Sequence, residues 1–476
     1  MKNSFAKDVA WWFFFLALIL GYKLFFHELW KDEWQAWLVA RDMSIGKMLA
    51  FLNYEGHPSL WYLYLMPFTL MSEYFNEEIL LQGAHSLLGA SVYFLIFRRF
   101  SMPFPMRILV AASYFLGFEY IIVNRGYVLL ILLSMVAMLS LKSSRKIPFA
   151  ISLFLLCQTE VYGVFFAAAL LVYYILNKSD ETDSLFLSVS KARLEISAFL
   201  FGIIAFVLTV YPRGHSDDFG RAYIGQDYNI SKFFDAFYGM FANTFFIGAV
   251  EDVGISGSTK LGCCLSVLVF AVFLFIFYRN KALLITYLIM VVMMLTFTSL
   301  IYGGGLRQYG NFLVFMICLL ELGSDQWKCH KLKSGMFVLL FVFPLIYNAA
   351  GLWQDAKYPY SNAKEAGQYL AAHVFKGTPV VAINKFEVGP VGAYAGFAFY
   401  ELPEGVPFTY FKWLEKVYLP PQAELELFGR YKKTQSLFVI SPSLLDRERY
   451  GSLTLIKAFD GFNMKRENYF LYKLEL

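Results

Sequence analysis

The sequence predicts an all-α polytopic membrane domain followed by a small α/β domain outside the membrane, and three observations carry that expectation. Of 476 residues, 58% are hydrophobic, 19% aromatic and only 16% charged, and the mean hydropathy is +0.52, well outside the range of soluble domains. Apolar segments of spanning length recur through residues 1–353. From residue 354 to 476 the pattern changes to a capped helix, "YSNAKEAGQYLAAHV", and short β-type runs, "TPVVAI", "SLFVIS" and "NYFLYKLEL".

The first apolar run, "VAWWFFFLALILGYKLFF", lacks a small-residue cleavage site, so it reads as a retained span with Lys2 and Lys7 on the cytoplasmic side. With it, segments near 9–26, 79–97, 105–123, 126–141, 147–157, 160–176, 194–211, 261–278, 282–302, 307–322 and 335–353 give about eleven spans. The basic connections "RRFSMPFPMR", "LKSSRK", "NKSDETDSLFLSVSKAR", "YRNK" and "DQWKCHKLK" then all fall on the cytoplasmic side, and the C-terminal domain lies outside. One apolar segment, "HPSLWYLYLMPFTLMSEYF" from His57, is left out, because a full crossing there would invert every one of those loops. It is placed as a helix in the outer interface. The 147–157 segment is short, and "CQTEVYG" after it reads as an irregular bend at membrane depth, tolerated where it lines a protein-enclosed cavity. Residues 27–75, 212–260 and everything after about 354 face outward.

The net charge of +5 comes largely from cations flanking spans, which report orientation, so nucleic-acid binding is excluded. Cys157, Cys263, Cys264, Cys318 and Cys329 show no metal-type spacing and suggest neither a disulfide framework nor a zinc site.

Candidate chemistry begins at "HELWKDEWQAWLVARD". Its helical composition puts Asp32 and Glu33 in a first turn, with Trp30, Trp34 and Trp37 on one face expected against the headgroups. The carboxylates either answer the positive end of the helix dipole or stand where lipid and water meet in order to react. Ser44 starts a second interfacial helix, and in "YEGHP" Gly56 permits a bend while Pro58 suits a first helical position. Glu119 and Arg125 in "GFEYIIVNRGY", Glu160 in "CQTEVYG" and Arg307 in "GGGLRQYGN" lie near outer span ends. A charge at bilayer centre costs roughly 2.5–3.5 kcal/mol, so such residues face a cavity, face one another, or snorkel. The glycines before Arg307 imply a close backbone approach, and His57 is either a turn residue or part of the site.

The ordered set "KDEWQAWLVARD", "YEGHPSLWYL", "FEYIIVNRGYVLLILL" resembles the GT-C superfamily of integral membrane glycosyltransferases, most of all bacterial members related to the protein O-mannosyltransferases and the lipid A aminoarabinose transferase. "QTEVYG", "GGGLRQYGN" and "YPYSNAKEAGQYL" are similar to segments of uncharacterised bacterial proteins of that group, so the resemblance covers roughly 27–180 and 300–375. His-Pro-Ser stands here where the family has His-Pro-Pro, and the 212–260 loop matches no motif.

The resemblance implies a GT-C-like catalytic domain over 1–353 in the bacterial inner membrane, with 354–476 periplasmic. It implies transfer of a sugar from a polyprenyl-phosphate donor, usually with inversion, to an acceptor hydroxyl of a lipid, glycan or protein on the outer face. Asp32 matches the family's base and Glu33 its supporting neighbour; Arg307 and Arg125 would hold the phosphate; His57, Glu119 and Glu160 would assist donor binding. Members differ in metal dependence, and no ligand cluster of clear spacing marks a divalent-metal site, so no cofactor is assigned. A flippase for lipid-linked sugars is the rival, though no inverted repeat is visible. A surface-polysaccharide polymerase or ligase is another; its key arginines are expected in large outer loops.

Overall fold

The computed structural model describes residues 2–182, 184–211, 230–246, 260–375, 377–413 and 418–476. Most of the 212–260 loop, for which the sequence offered no motif, lies outside the described residues.

In chain order the helices are α1 (Lys2–Phe26), α2 (Lys31–Asp42), α3 (Ile45–Phe51), α4 (Leu60–Thr69), α5 (Glu77–Arg99), α6 (Phe104–Ala111), α7 (Tyr127–Lys142), α8 (Lys146–Leu156), α9 (Val161–Thr182), α10 (Leu185–Lys191), α11 (Arg193–Val210), α12 (Ile230–Tyr238), α13 (Lys260–Phe277), α14 (Lys281–Leu300), α15 (Leu306–Leu322), α16 (Ser324–Trp327) and α17 (Lys331–Lys357). Among the described residues seven helices, fewer than the eleven expected, are long and apolar enough to cross a membrane, within α1, α5, α9, α11, α13, α14 and α17; α7 and α8 are shorter apolar helices. The chain is a polytopic membrane protein. α4 has 10 residues and so rises only about 15 Å, half a hydrocarbon core, in keeping with its exclusion from the spans.

The residues group into two compact units: 1–20, 56–61 and 83–352 form the first, and 21–55, 62–82 and 353–476 the second. In the first, α15 is buried on every side from Tyr309 to Glu321. Phe312 meets Phe241, Phe273 and Tyr287 there, the pattern of a helix at the centre of an apolar bundle.

One expected span, 105–123, is not a continuous helix. α6 stops at Ala111, a π turn follows at Phe115–Glu119, and irregular backbone leads to α7. Ser113 Oγ donates to Val110 O at 2.7 Å, taking up a carbonyl that a continuing helix would use. Residues 115–124 are nevertheless buried, so this irregular backbone is enclosed by protein, as membrane depth requires. The bend expected at "CQTEVYG" is present between α8 and α9. Gln158 Nε2 donates to Gly202 O at 2.9 Å, and Gln158 O accepts Leu60 N at 3.2 Å.

The second unit contains a three-layer α/β domain. Its strands are β1 (Val380–Ala382), β2 (Phe399–Glu401), β3 (Val406–Phe408), β4 (Ser436–Ser441), β5 (Leu453–Phe459) and β6 (Tyr469–Glu475), in the order β3-β2-β1-β4-β6-β5. β1 pairs parallel with β2 and β4, and the outer pairs are antiparallel. α18 (Ala363–His373) and α19 (Lys385–Ala395) cover one face through Leu370, Val388 and Val391 against Val380, Ile440 and Leu471. α20 (Gln422–Tyr431) covers the other through Leu425 and Phe428 against Val381, Val439 and Leu474. A sheet covered on both faces explains why "SLFVIS" reads as an apolar run and not as an alternation.

The tryptophan face of α2 corrects an expectation. Trp34 packs edge-on to Tyr394 of α19 at 5.1 Å, Trp37 Nε1 donates to Glu77 at 2.5 Å, and Lys465 lies over Trp30 at 4.5 Å. All three indoles are buried inside the second unit, where each gains a protein partner in place of headgroups.

Candidate active site

Asp32 and Glu33 are adjacent in the first turn of α2 and have different surroundings. Glu33 is fully buried: Oε2 accepts the Trp30 backbone N–H at 3.1 Å and Oε1 accepts His27 Nε2 at 3.2 Å. The first contact is half of a capping box, a glutamate reaching back to the helix N-cap. Asp32 stays partly exposed and lies within electrostatic reach of Glu467. α2 is fastened to its own unit by Lys31 to Glu387 at 2.6 Å and by Gln35, which donates to Glu55 and to Phe411 O, each at 2.7 Å.

The remaining candidates belong to the first unit, which gathers them around stacked tyrosines. Arg307 Nε donates to Glu119 Oε1 at 2.6 Å, and Tyr114 donates to Glu119 Oε2 at 3.2 Å. The Tyr120 hydroxyl donates to Arg307 O, and its ring stacks on Tyr127 at 5.1 Å. Tyr127 in turn lies within electrostatic reach of Glu160, Arg125 and Arg307. His57 Nδ1 meets Glu160 Oε2 at 3.0 Å, and Trp61, on the same short stretch, packs against Gly126 next to the half-buried Arg125. The side chains of His57 and Arg307 remain 34% and 16% exposed, so neither pair is sealed.

The glycines before Arg307 do a different job from the one expected. Gly304 has φ +61°, a left-handed turn into α15, while nothing crowds Gly303. The close approach is at Gly310, where a Cβ would collide with the Phe115 ring and the Tyr120 hydroxyl. Gly56, at φ +68°, makes the expected bend before His57.

No protein-family model matches the chain, and no curated protein does. Among solved structures it is similar to ArnT from Cupriavidus metallidurans bound to undecaprenyl phosphate, with TM-score 0.56 and 10% identity over 99% of this chain and 98% of that one. The apo state of the same protein gives 0.51 and 11% over the same shares. The chain has the ArnT fold. The expected GT-C architecture, a helical membrane part with a small C-terminal sheet domain, is thereby met. Within this ArnT-like chain, Asp32 and Glu33 belong to one compact unit and His57, Glu119, Arg125, Glu160 and Arg307 to the other. Among the described residues, no three His, Cys, Asp or Glu side chains group as a metal would require.

Sequence reading passed over His27, Lys23, Asp355, Glu55 and Glu467, all buried. A signal existed for the first three: Lys23 and His27 stand four apart at the end of the first apolar run, and Asp355 at the end of the last. Complementary charges closing two spans invite pairing.

Proposed function

We propose that the protein is an inner-membrane glycosyltransferase that moves a sugar from a polyprenyl-phosphate donor to an acceptor hydroxyl on the outer face. The observation that carries this reading is likeness over nearly the whole chain to an ArnT solved with undecaprenyl phosphate. In the proposed reaction Asp32 takes the proton of the attacking hydroxyl as its oxygen bonds to the anomeric carbon. The bond from that carbon to the phosphate oxygen breaks with inversion, and its electron pair leaves on polyprenyl phosphate. Arg307, oriented through Nε by Glu119, and Arg125 would meet the growing phosphate charge, while His57 and Glu160 would contact donor phosphate or sugar. Catalysis is assigned to residues 1–353, with the N-terminus cytoplasmic and 354–476 periplasmic.

The test is a panel of polyprenyl-phosphate sugars presented with crude envelope acceptors to the purified protein in liposomes. Release of polyprenyl phosphate is the expected result. Donor that changes leaflet without being consumed would replace this reading with a flippase.

A further inference from the structure

The helix that carries Asp32 begins at a buried charged cluster of which the sequence motifs singled out only Glu33. His27, just after α1, is 2% exposed and sits between two carboxylates that are fully buried as side chains. Its Nδ1 meets Asp355 Oδ1 and Oδ2 at 3.0 and 3.2 Å, and its Nε2 meets Glu33 Oε1 at 3.2 Å. An ionised carboxylate only accepts, and a neutral imidazole has a single N–H, so both contacts are hydrogen bonds only when both ring nitrogens carry protons. The ring stands against both carboxylates at once, and Lys23, fully buried, has Glu33 and Asp355 within electrostatic reach.

We propose that the His27 imidazolium, clamped between Glu33 and Asp355, is the positioning residue that sets the first turn of α2 and with it the direction of the Asp32 carboxylate. The argument runs through Glu33. One of its oxygens holds the Trp30 N–H that starts the helix, and the other is held by His27. Asp32 is the residue between that N-cap stretch and Glu33, so its backbone cannot rotate without breaking one of those bonds. Asp355 extends the clamp to the end of α17, where the Tyr22 hydroxyl also donates to it at 3.2 Å. Gln82 Nε2 donates to His27 O at 3.0 Å, and the Tyr360 ring lies edge-on to the imidazole at 4.8 Å. The ring is therefore fixed from several elements of its own unit. Burial works against the charged ring, but the Asp355 and Glu33 charges and hydrogen bonds outweigh it and push the group from 6.5 up to about 10.

This inference rests on the transferase reading, and the experiment separates the two. Release of polyprenyl phosphate from the donor panel is measured for the full chain, per folded molecule, in wild type, His27→Gln and the double variant His27→Gln/Asp355→Asn. Glutamine offers one nitrogen and no charge, so His27→Gln leaves the cluster one cation short. Its kcat is expected to fall roughly 10- to 100-fold at unchanged donor KM, as for a displaced catalytic group. The double variant removes one carboxylate with the cation and keeps a donor for Glu33, so it should regain most of the kcat. A purely structural role would lower thermal stability and leave kcat per folded molecule unchanged in both variants, which would overturn the positioning role alone. Wild type that releases nothing from any donor would overturn the transferase reading and the positioning role with it.

Discussion

Two clusters of charged side chains, one in each compact unit, are built in opposite ways. In the second unit, the side chains of His27, Glu33 and Asp355 are sealed, with both ring nitrogens of His27 turned to a carboxylate and the second oxygen of Glu33 held by the Trp30 N–H. In the first, the pairs Arg307 to Glu119 and His57 to Glu160 keep one partner open to the surroundings. A sealed ion pair is a fixture: it has paid its desolvation cost at folding and has no capacity left for a substrate. A half-open pair can exchange part of its bonding for a ligand, which suits the phosphate role proposed for Arg307. The difference supports the proposed roles, architecture for the sealed cluster and donor binding for the half-open one.

Substitution of Arg307 is the largest expected break in that contrast. Arg307→Ala should cost roughly 10²–10³-fold in transfer, the scale of removing a charge-stabilising donor. Thermal stability should fall much less, and Arg307→Lys should recover only part of the rate, because an ammonium lacks the planar fork. Equal transfer by Arg307→Ala and wild type would remove the phosphate role.

His27→Ala should do the reverse at the level of folding. Stranding Glu33 and Asp355 without the imidazolium they share should destabilise the second unit by about 3–5 kcal/mol, read as a drop in chemical-denaturation midpoint. An unchanged midpoint would mean that the cluster is not sealed.

Gly310→Ala probes the packing behind Arg307. The added methyl would push Phe115 and Tyr120 away from α15, with a cost of about 1–3 kcal/mol and a loss of activity through the Tyr120 bond to Arg307 O. Loss of stability without loss of activity would separate the π turn from function.

The smallest effect is the pH dependence set by Glu467, which burial pushes from 4.5 up to about 7 although Ser361 and Lys31 oppose it and Glu387 and Asp32 add to it. A carboxyl whose folded value is raised contributes stability that is full below pH 4.5 and is lost as pH rises through about 7. The second unit should therefore be more stable at pH 5 than at pH 8, by at most roughly 3 kcal/mol. Glu467→Gln should flatten a melting-temperature profile over that window. His27 acts in the same direction in a later window, losing its stabilisation between 6.5 and about 10 as the imidazolium facing Glu33, Asp355, Lys23, Tyr22 and Tyr360 gives up its proton.

Hydropathy made the seven long spans and the bend after α8 legible, because each follows from composition within some twenty residues, whereas the segment holding α4 was set apart only by the charge of loops along the whole chain. The C-terminal strands were visible for the same reason, although β2, β3 and β5 were not picked out. The break between α6 and α7 was hidden, since "RILVAASYFLGFEYIIV" is apolar apart from Arg107, Ser113, Glu119 and its tyrosines, and the π turn is fixed by packing, with Asn348 against Gly117. The candidate site was legible as residue types near span ends, but pairings such as His57 with Glu160 and Glu119 with Arg307 join residues more than a hundred apart. Glu33 is the instructive case. Adjacent to Asp32 and chemically alike, it is committed to the Trp30 N–H and to His27.

That division between neighbours is the central claim, and one comparison tests it directly: kcat and melting temperature for Asp32→Asn and Glu33→Gln side by side. The account predicts that Asp32→Asn loses roughly 10²–10⁴-fold in transfer, the contribution of a general base, with its melting temperature unchanged. Glu33→Gln should lower the melting temperature and, through the clamp on Asp32, cost no more than the roughly 10- to 100-fold in kcat of a displaced base. An active Asp32→Asn, or a Glu33→Gln that is inactive and fully stable, would contradict it.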